Sequence, residues 1–528
     1  MTKHAIAIAQ LNPVVGDIQG NARRIIDAYG VASKKAAQIV LCPELALTGY
    51  PPEDLLLIPD FAKECTQLAR DISAQTGAIG LAFGTAWVES GVVYNAAIFA
   101  AEGRIQHIYF KSMLPNYGVF DEKRVFTAGH TLKSFEWNGA KIALLVCEDI
   151  WFLENAQILA REATEHVLVL NASPFEMGKL AQRKHVVAQF AQTANASVTY
   201  ANMVGGQDDL VFDGASFSVD STGYITHECP AFEDGVFMVG EMPASQPSAP
   251  SQDVWNAMKL GLSDYVHKNG FKGVLLGLSG GIDSAITAAF AVDALGAENV
   301  RGVLLPSPYS SADSVEDALE TAKLLGIHTD TIAISPMMET YKQSLPQLGA
   351  DDWMVEPTIG GNLQARIRGQ ILMALSNKTG FMLLSTGNKS EIAVGYSTLY
   401  GDSCGAYNVL KDVYKTHVYV LANWRNTVSH VIPLRSISKA PSAELKPDQK
   451  DADQLPPYDV LDAILTLHIE GRKCAEEIIA EGFDAAIVKR ILQLMRINEY
   501  KRRQSCPGVK ISSMMFGRDR RFPLTNRF

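Results

Sequence analysis

Three polar residues, each placed just after an apolar run, have side chains that together could carry out covalent chemistry on an amide. Glu44 comes two residues after IVLC, Lys111 directly follows IYF, and Cys147 directly follows IALLV. A cysteine can attack the carbonyl, a glutamate can move the thiol proton to the leaving amine, and a lysine can stabilise the oxyanion. Taken singly, Cys147 also fits a small buried apolar residue, and Glu44 and Lys111 each fit a solvated surface charge.

A second candidate site is a glycine-rich turn between a predicted strand and a predicted helix. Its residues are Gly277, Leu278, Ser279, Gly280, Gly281, Ile282, Asp283 and Ser284. Backbone N–H groups of such a turn and of the following helix point at one spot, which favours a phosphate. The pattern matches neither GxxxxGK[ST] nor GxGxxG. By itself it also fits an ordinary strand-to-helix turn that is capped by Asp283 and Ser284.

The elements that would position these residues are short strands alternating with helices. Apolar runs predict strands at residues 5–10, 38–42, 79–84, 105–110, 142–146, 166–171 and 198–204. Further along, strands at 274–278, 300–305, 329–334 and 381–385 alternate with helices at 284–295, 315–325 and 363–376. Both halves are therefore predicted to be α/β, the second with a doubly wound parallel sheet. Because sites assemble at the carboxyl ends of such strands, Glu44, Lys111 and Cys147 are expected to converge.

Composition limits the class of protein. The chain has 528 residues, 47% of them hydrophobic and 20% charged, which is enough for two or three domains with sizeable cores. A net charge of −10 argues against a nucleic-acid partner. No apolar run approaches the roughly 18 residues of a membrane span, so no membrane partner is expected. Seven scattered cysteines without a CxxC pair favour a reducing cytoplasm over a disulfide framework or a zinc site.

The clearest linker is the uncharged stretch MPASQPSAPSQ. It predicts a domain over residues 1–242, a linker over 243–252 and a second domain over 253–528.

The segments around Glu44, Lys111 and Cys147 resemble the nitrilase (carbon–nitrogen hydrolase) superfamily over the whole first half. The resemblance implies an αββα sandwich with a catalytic Glu-Lys-Cys triad, and it gives Glu122 the task of holding Lys111 and the substrate amide. Among glutamine-hydrolysing relatives, the positions that hold glutamine also match Tyr117, Ser173 and Lys179. Arg183 remains an alternative to Lys179 for the carboxylate, since arginine offers a bidentate fork.

The string SGGIDS resembles the pyrophosphate loop of the N-type ATP pyrophosphatases, which cleave ATP to AMP and pyrophosphate in order to adenylate a substrate. Segments 306–318, 362–372, 384–402, 411–416 and 442–459 are similar to the NAD synthetases of that group. This implies a Rossmann-like fold of the ATP pyrophosphatase type. It assigns ATP contacts to residues 277–284, Thr386, Lys415 and Ser442, deamido-NAD⁺ contacts to Asn362, Glu391 and Lys501, and Mg²⁺ to Asp283 and Glu391.

Two segments leave questions open. The string CGAYNVLKDVYK departs from the short ammonia-dependent synthetases, which leaves Tyr407 and Asn408 uncertain as ligands and favours the glutamine-dependent branch. Residues 498–528 hold eight Lys or Arg against two Asp or Glu. Such a tail is either solvated or, if it reaches a neighbouring active site, neutralises phosphates there.

Together the two resemblances predict a coupled ligase. L-Glutamine would supply ammonia, Mg-ATP would adenylate the nicotinate carboxylate of deamido-NAD⁺, and ammonia would displace AMP. Because ammonia is mostly protonated in neutral water, a dry passage between the sites is expected. Both resembled families commonly form homo-oligomers, so at least a dimer is predicted.

Two alternatives remain at this point. One is an amidase whose second half is a regulatory nucleotide-binding module without catalysis. The other is an amidotransferase of the same pyrophosphatase class with a different acceptor, such as a purine nucleotide. A non-enzymatic scaffold explains none of the motifs.

Overall fold

The structure is a computed structural model, and it describes residues 5–240, 248–347, 357–442, 444–446 and 450–526. The chain divides into two compact units, an N-terminal unit (1–248) and a C-terminal unit (249–528). Residues 243–247 of the predicted linker lie outside the described residues. Pro250, Ser251 and Gln252, the last residues of the predicted linker, form the first turn of a helix, and the domain limits stay predictions. The fixed φ of proline suits the first helical turn.

The N-terminal unit contains fourteen strands and four α-helices among its described residues. The strands are β1 (Ile6–Gln10), β2 (Ile39–Leu41), β3 (Gly80–Glu89), β4 (Val92–Ala101), β5 (Arg104–Phe110), β6 (Phe135–Trp137), β7 (Ala140–Val146), β8 (His166–Asn171), β9 (Ser197–Asn202), β10 (Val204–Gln207), β11 (Leu210–Asp213), β12 (Phe217–Val219), β13 (Ile225–Glu228) and β14 (Gly235–Met238). The helices are α1 (Ile18–Lys34), α2 (Pro59–Ala74), α3 (Leu153–Arg161) and α4 (Lys179–Ala194).

Two six-stranded sheets make up most of this unit. One has the strand order β14-β1-β2-β3-β4-β5 and the other β13-β12-β9-β8-β7-β6. The pairs β1–β2, β2–β3, β7–β8 and β8–β9 are parallel, and the outer pairs are antiparallel. The strands β2 and β7, which lead to Glu44 and Cys147, therefore each lie in the parallel part of a sheet.

Alternation of side chains along the strands builds a four-layer sandwich. On β1, Ile6 and Ile8 join a core that also contains Leu144 and Leu168 of the other sheet. Ala7 of the same strand faces the opposite way, into a core with α1 and α2. Successive side chains of a strand point to opposite faces, so each sheet buries one face on the other sheet and one on helices. The predicted αββα arrangement is confirmed.

The C-terminal unit contains five strands among its described residues, β15 (Val274–Gly277), β16 (Val300–Leu304), β17 (His328–Thr331), β18 (Met382–Ser385) and β19 (Tyr407–Asn408). Its helices are α5 (Pro250–Lys268), α6 (Ile282–Leu295), α7 (Ala312–Leu325), α8 (Ser335–Ser344), α9 (Pro357–Thr379), α10 (Lys389–Val394), α11 (Lys415–Val428), α12 (Leu434–Ser438), α13 (Tyr458–Ile469), α14 (Ala475–Ala480), α15 (Ala485–Ile497) and α16 (Glu499–Arg502).

The five strands of this unit form one parallel sheet with the order β17-β16-β15-β18-β19. The chain moves outward from β15 in one direction and then returns to add β18 and β19 on the other side. This doubly wound order confirms the predicted fold class, and it places a topological switch point between β15 and β18. Ligands of open α/β sheets bind outside the carboxyl ends of the strands at such a point.

One predicted strand is corrected, and one long strand was missed. The strand expected at 329–334 ends at Thr331, because Ile334 already precedes helix α8 and its backbone N–H bonds to Pro306. The strand β4 was not predicted, since Val92–Ala101 lies mostly buried and lacks an apolar–polar alternation. Among the described residues, no helix is long and apolar enough to span a membrane.

Candidate active sites

Glu44, Lys111 and Glu122 form a buried charged cluster in the N-terminal unit. The Lys111 ammonium donates hydrogen bonds to Glu44 Oε1 at 2.7 Å and to Glu122 Oε1 at 2.8 Å. The side chains of Lys111 and Glu44 are fully buried. Breaking a buried pair leaves an uncompensated charge and costs about 3–5 kcal/mol. Each member of the cluster is therefore needed to keep the others charged.

Neighbouring elements hold the two carboxylates in place. Asn95 of β4 donates to Glu44 Oε1 at 2.8 Å, and the Ala172 backbone N–H donates to Glu44 Oε2 at 3.0 Å. The Tyr50 hydroxyl donates to Glu122 Oε1 at 3.0 Å. Glu122 Oε2 is buried and has no hydrogen-bond partner among the described residues. The cluster thus keeps one buried acceptor for a bound molecule.

Charge and burial set the protonation of this cluster. Burial alone would lower the pKa of Lys111, but the charges of Glu122 and Glu44 outweigh it and raise that pKa well above its usual range. Burial raises the pKa of Glu122 to about 7, even though Lys111 opposes the shift. Lys111 is therefore a fixed cation at neutral pH, as stabilisation of an oxyanion requires.

Cys147 stands on a tight turn at the end of β7. It has a φ of +46° and begins a short 3₁₀ turn, so its side chain leaves the strand direction abruptly. A positive φ in a residue other than glycine is strained and persists where the surroundings impose it. Burial raises the pKa of the Cys147 thiol well above its usual range, and Glu44 adds to this shift while Lys111 opposes it. The resting thiol is neutral and needs a base.

The turn after β2 brings Glu44 close to β3. The backbone of Glu44 and Leu45 packs directly against Gly84, where a Cβ atom would clash with the Leu45 amide nitrogen. Only glycine allows this approach. Glu44, Lys111, Cys147 and Glu122 are therefore brought together as expected, although their roles remain predictions.

The residues predicted to hold glutamine lie around Cys147. The Tyr117 hydroxyl lies 3.0 Å from both carboxylate oxygens of Glu148, the residue that follows Cys147. The Lys179 ammonium lies 4.9 Å from the centre of the Trp151 ring and lowers the pKa of Glu148 electrostatically. Burial is the largest influence on that carboxyl and raises its pKa. Tyr117, Glu148 and Lys179 thus form a polar group beside the thiol.

Arg183, the alternative to Lys179, lies deeper. Its side chain is 1% exposed and one guanidinium nitrogen forms an ion pair with Asp213. Asp213 accepts a hydrogen bond from Asn202, whose side chain binds both the backbone N–H and the carbonyl of Ser173. Arg183 therefore supports the Ser173 segment from behind, whereas Lys179 lies beside Glu148.

In the C-terminal unit, the glycine-rich turn joins β15 to α6. Gly280 has a φ of +84°, and a Cβ atom there would clash with the Ser314 carbonyl. The Ser284 hydroxyl accepts a hydrogen bond from the Ser279 N–H at 3.2 Å and donates to the Gly281 carbonyl at 3.0 Å. Ser436 donates to the Gly280 carbonyl at 2.9 Å. The turn is rigid, and α6 begins directly after it, as a phosphate-binding loop requires.

Lys415 lies between two carboxylates at this turn. Its ammonium forms an ion pair with Asp283 and lies 3.7 Å from Glu391 Oε1. Burial and the charge of Asp283 raise the pKa of Glu391 to about 8, although Lys415 opposes the shift. Asn388 donates to Asp283 at 3.4 Å and accepts from the Glu391 N–H at 3.0 Å. The carboxylates of Asp283 and Glu391 therefore already share one cation, the Lys415 ammonium. Mg²⁺ that is bound to phosphates usually takes one or two carboxylates, so these two residues fit such an ion.

A cavity of about 350 Å³ opens at the switch point. The predicted residues that line it are Gly277, Leu278, Ser279, Gly281, Ile282, Asp283, Ser284, Thr386, Glu391, Lys415, Ser442 and Lys501. Its volume and mixed lining suit a small-molecule site. Asn408 also lines the cavity, whereas Tyr407 is fully buried against Tyr265.

Two predictions for this unit find less support. Asn362 is not a lining residue; its side-chain oxygen accepts a hydrogen bond from Thr398 at 2.7 Å. Lys501 lines the cavity but donates to the carbonyls of Gly395 and Ser397 at 2.7 and 2.8 Å.

Part of the basic tail packs within its own unit, and its reach to a neighbouring active site stays a prediction. Arg502 and Arg520 both form ion pairs with Glu499, and Lys510 forms one with Asp519. Asp412 accepts hydrogen bonds from the backbone N–H groups of residues 511 and 512. These basic side chains are bound before any ligand arrives.

Sequence reasoning missed several residues of both sites. In the N-terminal unit these are Tyr50, Asn95, Glu148 and Asp149, and in the C-terminal unit they are Arg368, Asn388, Ser436 and Asp451. Glu148 and Asp149 directly follow the cysteine in CEDIW, so their position was the available signal. Asn388 lies three residues before Glu391, within the string GNKSE, so its position was also a signal. Tyr50 and Asn95 are separated in sequence from the residues they support.

Comparison with known proteins follows the same division of the chain. The carbon-nitrogen hydrolase family model matches residues 5–242, and the NAD synthase family model matches residues 254–505. The glutamine-dependent NAD(+) synthetase of Acinetobacter baylyi is 45% identical, over 100% of this chain and 99% of its own length. That of Xanthomonas campestris is 47% identical, over 99% and 97%.

A solved structure resembles the whole chain. The glutamine-dependent NAD+ synthetase of Acinetobacter baumannii, in complex with adenosine diphosphate, has a TM-score of 0.80 and 41% identity, and the match covers 99% of this chain and 98% of that one. The structure of a glutamine-dependent NAD(+) synthetase from Cytophaga hutchinsonii has a TM-score of 0.86 at 24% identity over 99% and 98%, which supports the fold. Identity above 40% over the full length settles the family: this chain belongs to the glutamine-dependent NAD(+) synthetases.

Proposed function

We propose that this chain amidates deamido-NAD⁺ to NAD⁺ with ammonia released from L-glutamine. The overall reaction consumes ATP, deamido-NAD⁺, L-glutamine and water, and it yields AMP, diphosphate, NAD⁺ and L-glutamate. One observation carries the proposal: a single chain holds both a buried Glu44–Lys111–Cys147 cluster and a phosphate-type turn that faces the Asp283–Glu391 pair.

In the N-terminal unit, Cys147 attacks the side-chain amide of glutamine. Glu44 takes the thiol proton, which overcomes the high pKa of the buried thiol, and the oxyanion forms against the Lys111 ammonium. Glu44 then returns the proton to the leaving ammonia, and a glutamyl thioester remains. Water, deprotonated by Glu44, cleaves the thioester and releases glutamate. Glu122 Oε2, which has no hydrogen-bond partner within the described part of the chain, accepts an N–H of the substrate amide.

Recognition of glutamine requires groups for both of its charges. We propose Lys179 for the α-carboxylate, because it lies beside Glu148 near the nucleophile, whereas Arg183 is 1% exposed and one of its nitrogens is paired with Asp213. The Arg183 Nε and Nη1 atoms have no hydrogen-bond partner among the described residues, so Arg183 stays the alternative. For the α-ammonium we propose Glu148. Among the described residues this carboxylate has no ion-pair partner, and it lies next to the nucleophile with a hydrogen bond from Tyr117. Ser173, held by Asn202, completes the pocket.

The Glu148 assignment predicts how the site distinguishes amides. The Glu148→Gln variant should have a KM for glutamine about 10- to 100-fold higher with kcat within threefold, since a charge-assisted hydrogen bond contributes about 1.5–3 kcal/mol. Glutamine at this position keeps an oxygen for Tyr117. The measurement compares L-glutamine with 4-carbamoylbutanoate, which lacks the α-amine. The wild type should prefer glutamine strongly, whereas the Glu148→Gln variant should show little preference.

Glu154→Gln serves as the matched control, because Glu154 is an exposed carboxylate on α3 in the same segment. That variant should keep the KM of the wild type. The assignment fails if Glu148→Gln binds glutamine normally and still rejects the substrate that lacks the amine.

In the C-terminal unit, the nicotinate carboxylate attacks the α-phosphorus of ATP and expels diphosphate. Ammonia then displaces AMP from the mixed anhydride, because AMP is a far better leaving group than an oxide. The backbone N–H groups of residues 279–284 bind phosphate oxygens, and Lys415, Thr386 and Ser442 orient the nucleotide. Asp283 and Glu391 would hold Mg²⁺, which supplies charge neutralisation on the phosphates.

The decisive assay supplies the full chain with deamido-NAD⁺, Mg-ATP and either L-glutamine or ammonium chloride. NAD⁺, AMP and diphosphate are expected in equal amounts with both nitrogen sources, and glutamate with glutamine alone. Glutamine hydrolysis without NAD⁺ formation would favour the amidase with a regulatory module. ATP cleavage that requires an acceptor other than deamido-NAD⁺ would favour the alternative of an amidotransferase with a different acceptor.

Three further parts of the proposal concern the chain as a whole. The domain limits 1–242 and 253–528, an assembly of at least two copies and the passage of ammonia between the sites stay predictions. All seven cysteines are free, which supports placement in a reducing cytoplasm. A sedimentation measurement on the full chain tests the assembly.

A further inference from the structure

Asp149 receives an unusual number of hydrogen bonds in the N-terminal unit. Its Oδ1 accepts from the Ser112 N–H at 3.1 Å, the Ser112 hydroxyl at 2.8 Å and the Met113 N–H at 2.8 Å. Its Oδ2 accepts from the Val146 N–H and the Tyr109 hydroxyl, both at 3.0 Å. The side chain is fully buried. No part of the chemistry described above uses this carboxylate.

The partners of Asp149 lie next to the two reacting side chains. Ser112 and Met113 directly follow Lys111, and Val146 directly precedes Cys147. The Asp149 carboxylate therefore binds both the backbone that follows Lys111 and the backbone that precedes Cys147. These segments belong to different sheets, since β5 lies at an edge of one and β7 in the other. Among the described residues, no backbone–backbone hydrogen bond joins these two segments.

The five donors favour an ionised acceptor. Three are backbone N–H groups, which cannot reverse their direction and which bond to both oxygens, so the NH₂ group of an asparagine at residue 149 would face at least one of them with another donor. Burial raises the pKa of Asp149, but the hydrogen bonds from Met113 and Val146 and the charge of Lys111 oppose that shift. The loop geometry thus depends on a charged oxygen pair at this position.

We infer that Asp149 is a positioning residue that sets the separation of Lys111 and Cys147. This inference rests on the proposed glutaminase reaction and adds a residue to it. A catalytic group displaced by about 1 Å loses about 10²-fold in rate, so the effect of losing Asp149 is large although it never touches the substrate.

The test is the Asp149→Asn variant of the full chain. Glutamine-dependent kcat should fall about 100-fold while the KM for glutamine stays within threefold, because Tyr117, Ser173 and Lys179 are untouched. Alkylation of Cys147 by iodoacetamide at fixed pH should slow at least tenfold, since the thiol loses its alignment with Glu44 and Lys111. NAD⁺ formation from ammonium chloride should be unchanged.

The rate of alkylation distinguishes a positioning role of Asp149 from a general loosening of the fold. A loosened fold would expose the buried Cys147 thiol and make its alkylation faster. Thr76→Val is the matched control. It removes a buried hydroxyl whose partners are Ser73 and Gly103, next to the residue at which β5 begins, whereas Lys111 follows the other end of that strand. A Thr76→Val variant of equal thermal stability should keep its kcat. An equal loss of kcat in that control, or faster alkylation in Asp149→Asn, overturns the inference.

If Asp149→Asn does not fold, the double variant Tyr109→Phe/Ser112→Ala replaces it. This variant keeps the carboxylate and its three backbone donors, so a fall in kcat of about 3- to 10-fold with unchanged KM is expected, and no fall contradicts the inference. Alkylation needs no glutamine turnover. A wild type whose Cys147 is alkylated rapidly but which does not hydrolyse glutamine would refute the proposed function. The alkylation rates of the wild type and Asp149→Asn would still decide whether Asp149 positions the thiol.

Discussion

Replacement of Cys147 by alanine should abolish NAD⁺ formation from glutamine, by about 10⁴-fold or more, and leave formation from ammonium chloride within twofold. The nucleophile has no substitute in the cluster, because Glu44 and Glu122 are both bound to Lys111. Loss of a catalytic nucleophile costs rate on this scale even when the oxyanion cation remains. The measurement is the initial rate of NAD⁺ formation with each nitrogen source at saturating deamido-NAD⁺ and Mg-ATP.

Cys229→Ala provides the comparison for that experiment. Cys229 is also a buried cysteine of the N-terminal unit, and its sulfur lies 3.6 Å from a ring nitrogen of His227. Its replacement should leave both rates near those of the wild type. Retention of the glutamine-dependent rate by Cys147→Ala would remove Cys147 from the mechanism. Loss of the ammonia-dependent rate would place Cys147 in the synthetic reaction instead.

Asp283→Asn should have the second large effect, a loss of about 10³-fold in NAD⁺ formation with either nitrogen source. The Asp283 carboxylate pairs with Lys415 beside Glu391, and the variant removes one of the two carboxylates that would hold Mg²⁺ against the phosphates. Production of AMP and diphosphate should fall in parallel. Glutamate release from glutamine should continue, because that chemistry belongs to the other unit.

Asp293→Asn is a control in the same helix, α6. Asp293 accepts two hydrogen bonds from Arg425, at 2.7 and 2.9 Å, and one from Trp255 at 2.9 Å. Its replacement should lower the thermal midpoint, since it breaks a largely buried ion pair, and should spare ATP cleavage. Equal losses of activity in the two variants would show that Asp283 acts through stability alone, which contradicts the assignment.

The sequence alone determined where each reacting group stands along the chain. Glu44, Lys111 and Cys147 follow apolar runs, and the fold places the carboxyl ends of strands where sites form. The turn at residues 277–284 also fits an ordinary capped turn, and the resemblance of the string SGGIDS to the pyrophosphate loop indicated its use. These features are local, so residue type and position after a strand indicate candidates, and the family resemblance selects among them.

Only the tertiary structure decided which groups surround the reacting residues. Asn95 lies 51 residues from Glu44 and Tyr109 lies 40 from Asp149, yet each pair is hydrogen-bonded and buried. The pairing of Arg183 with Asp213 and the hydrogen bonds from residues 511 and 512 to Asp412 likewise join partners that are distant in sequence. Hydrogen bonds and pKa shifts depend on burial and on neighbouring charge, which arise when separate segments pack. A local pattern can therefore place a catalytic residue, whereas its protonation and its alignment belong to the folded chain.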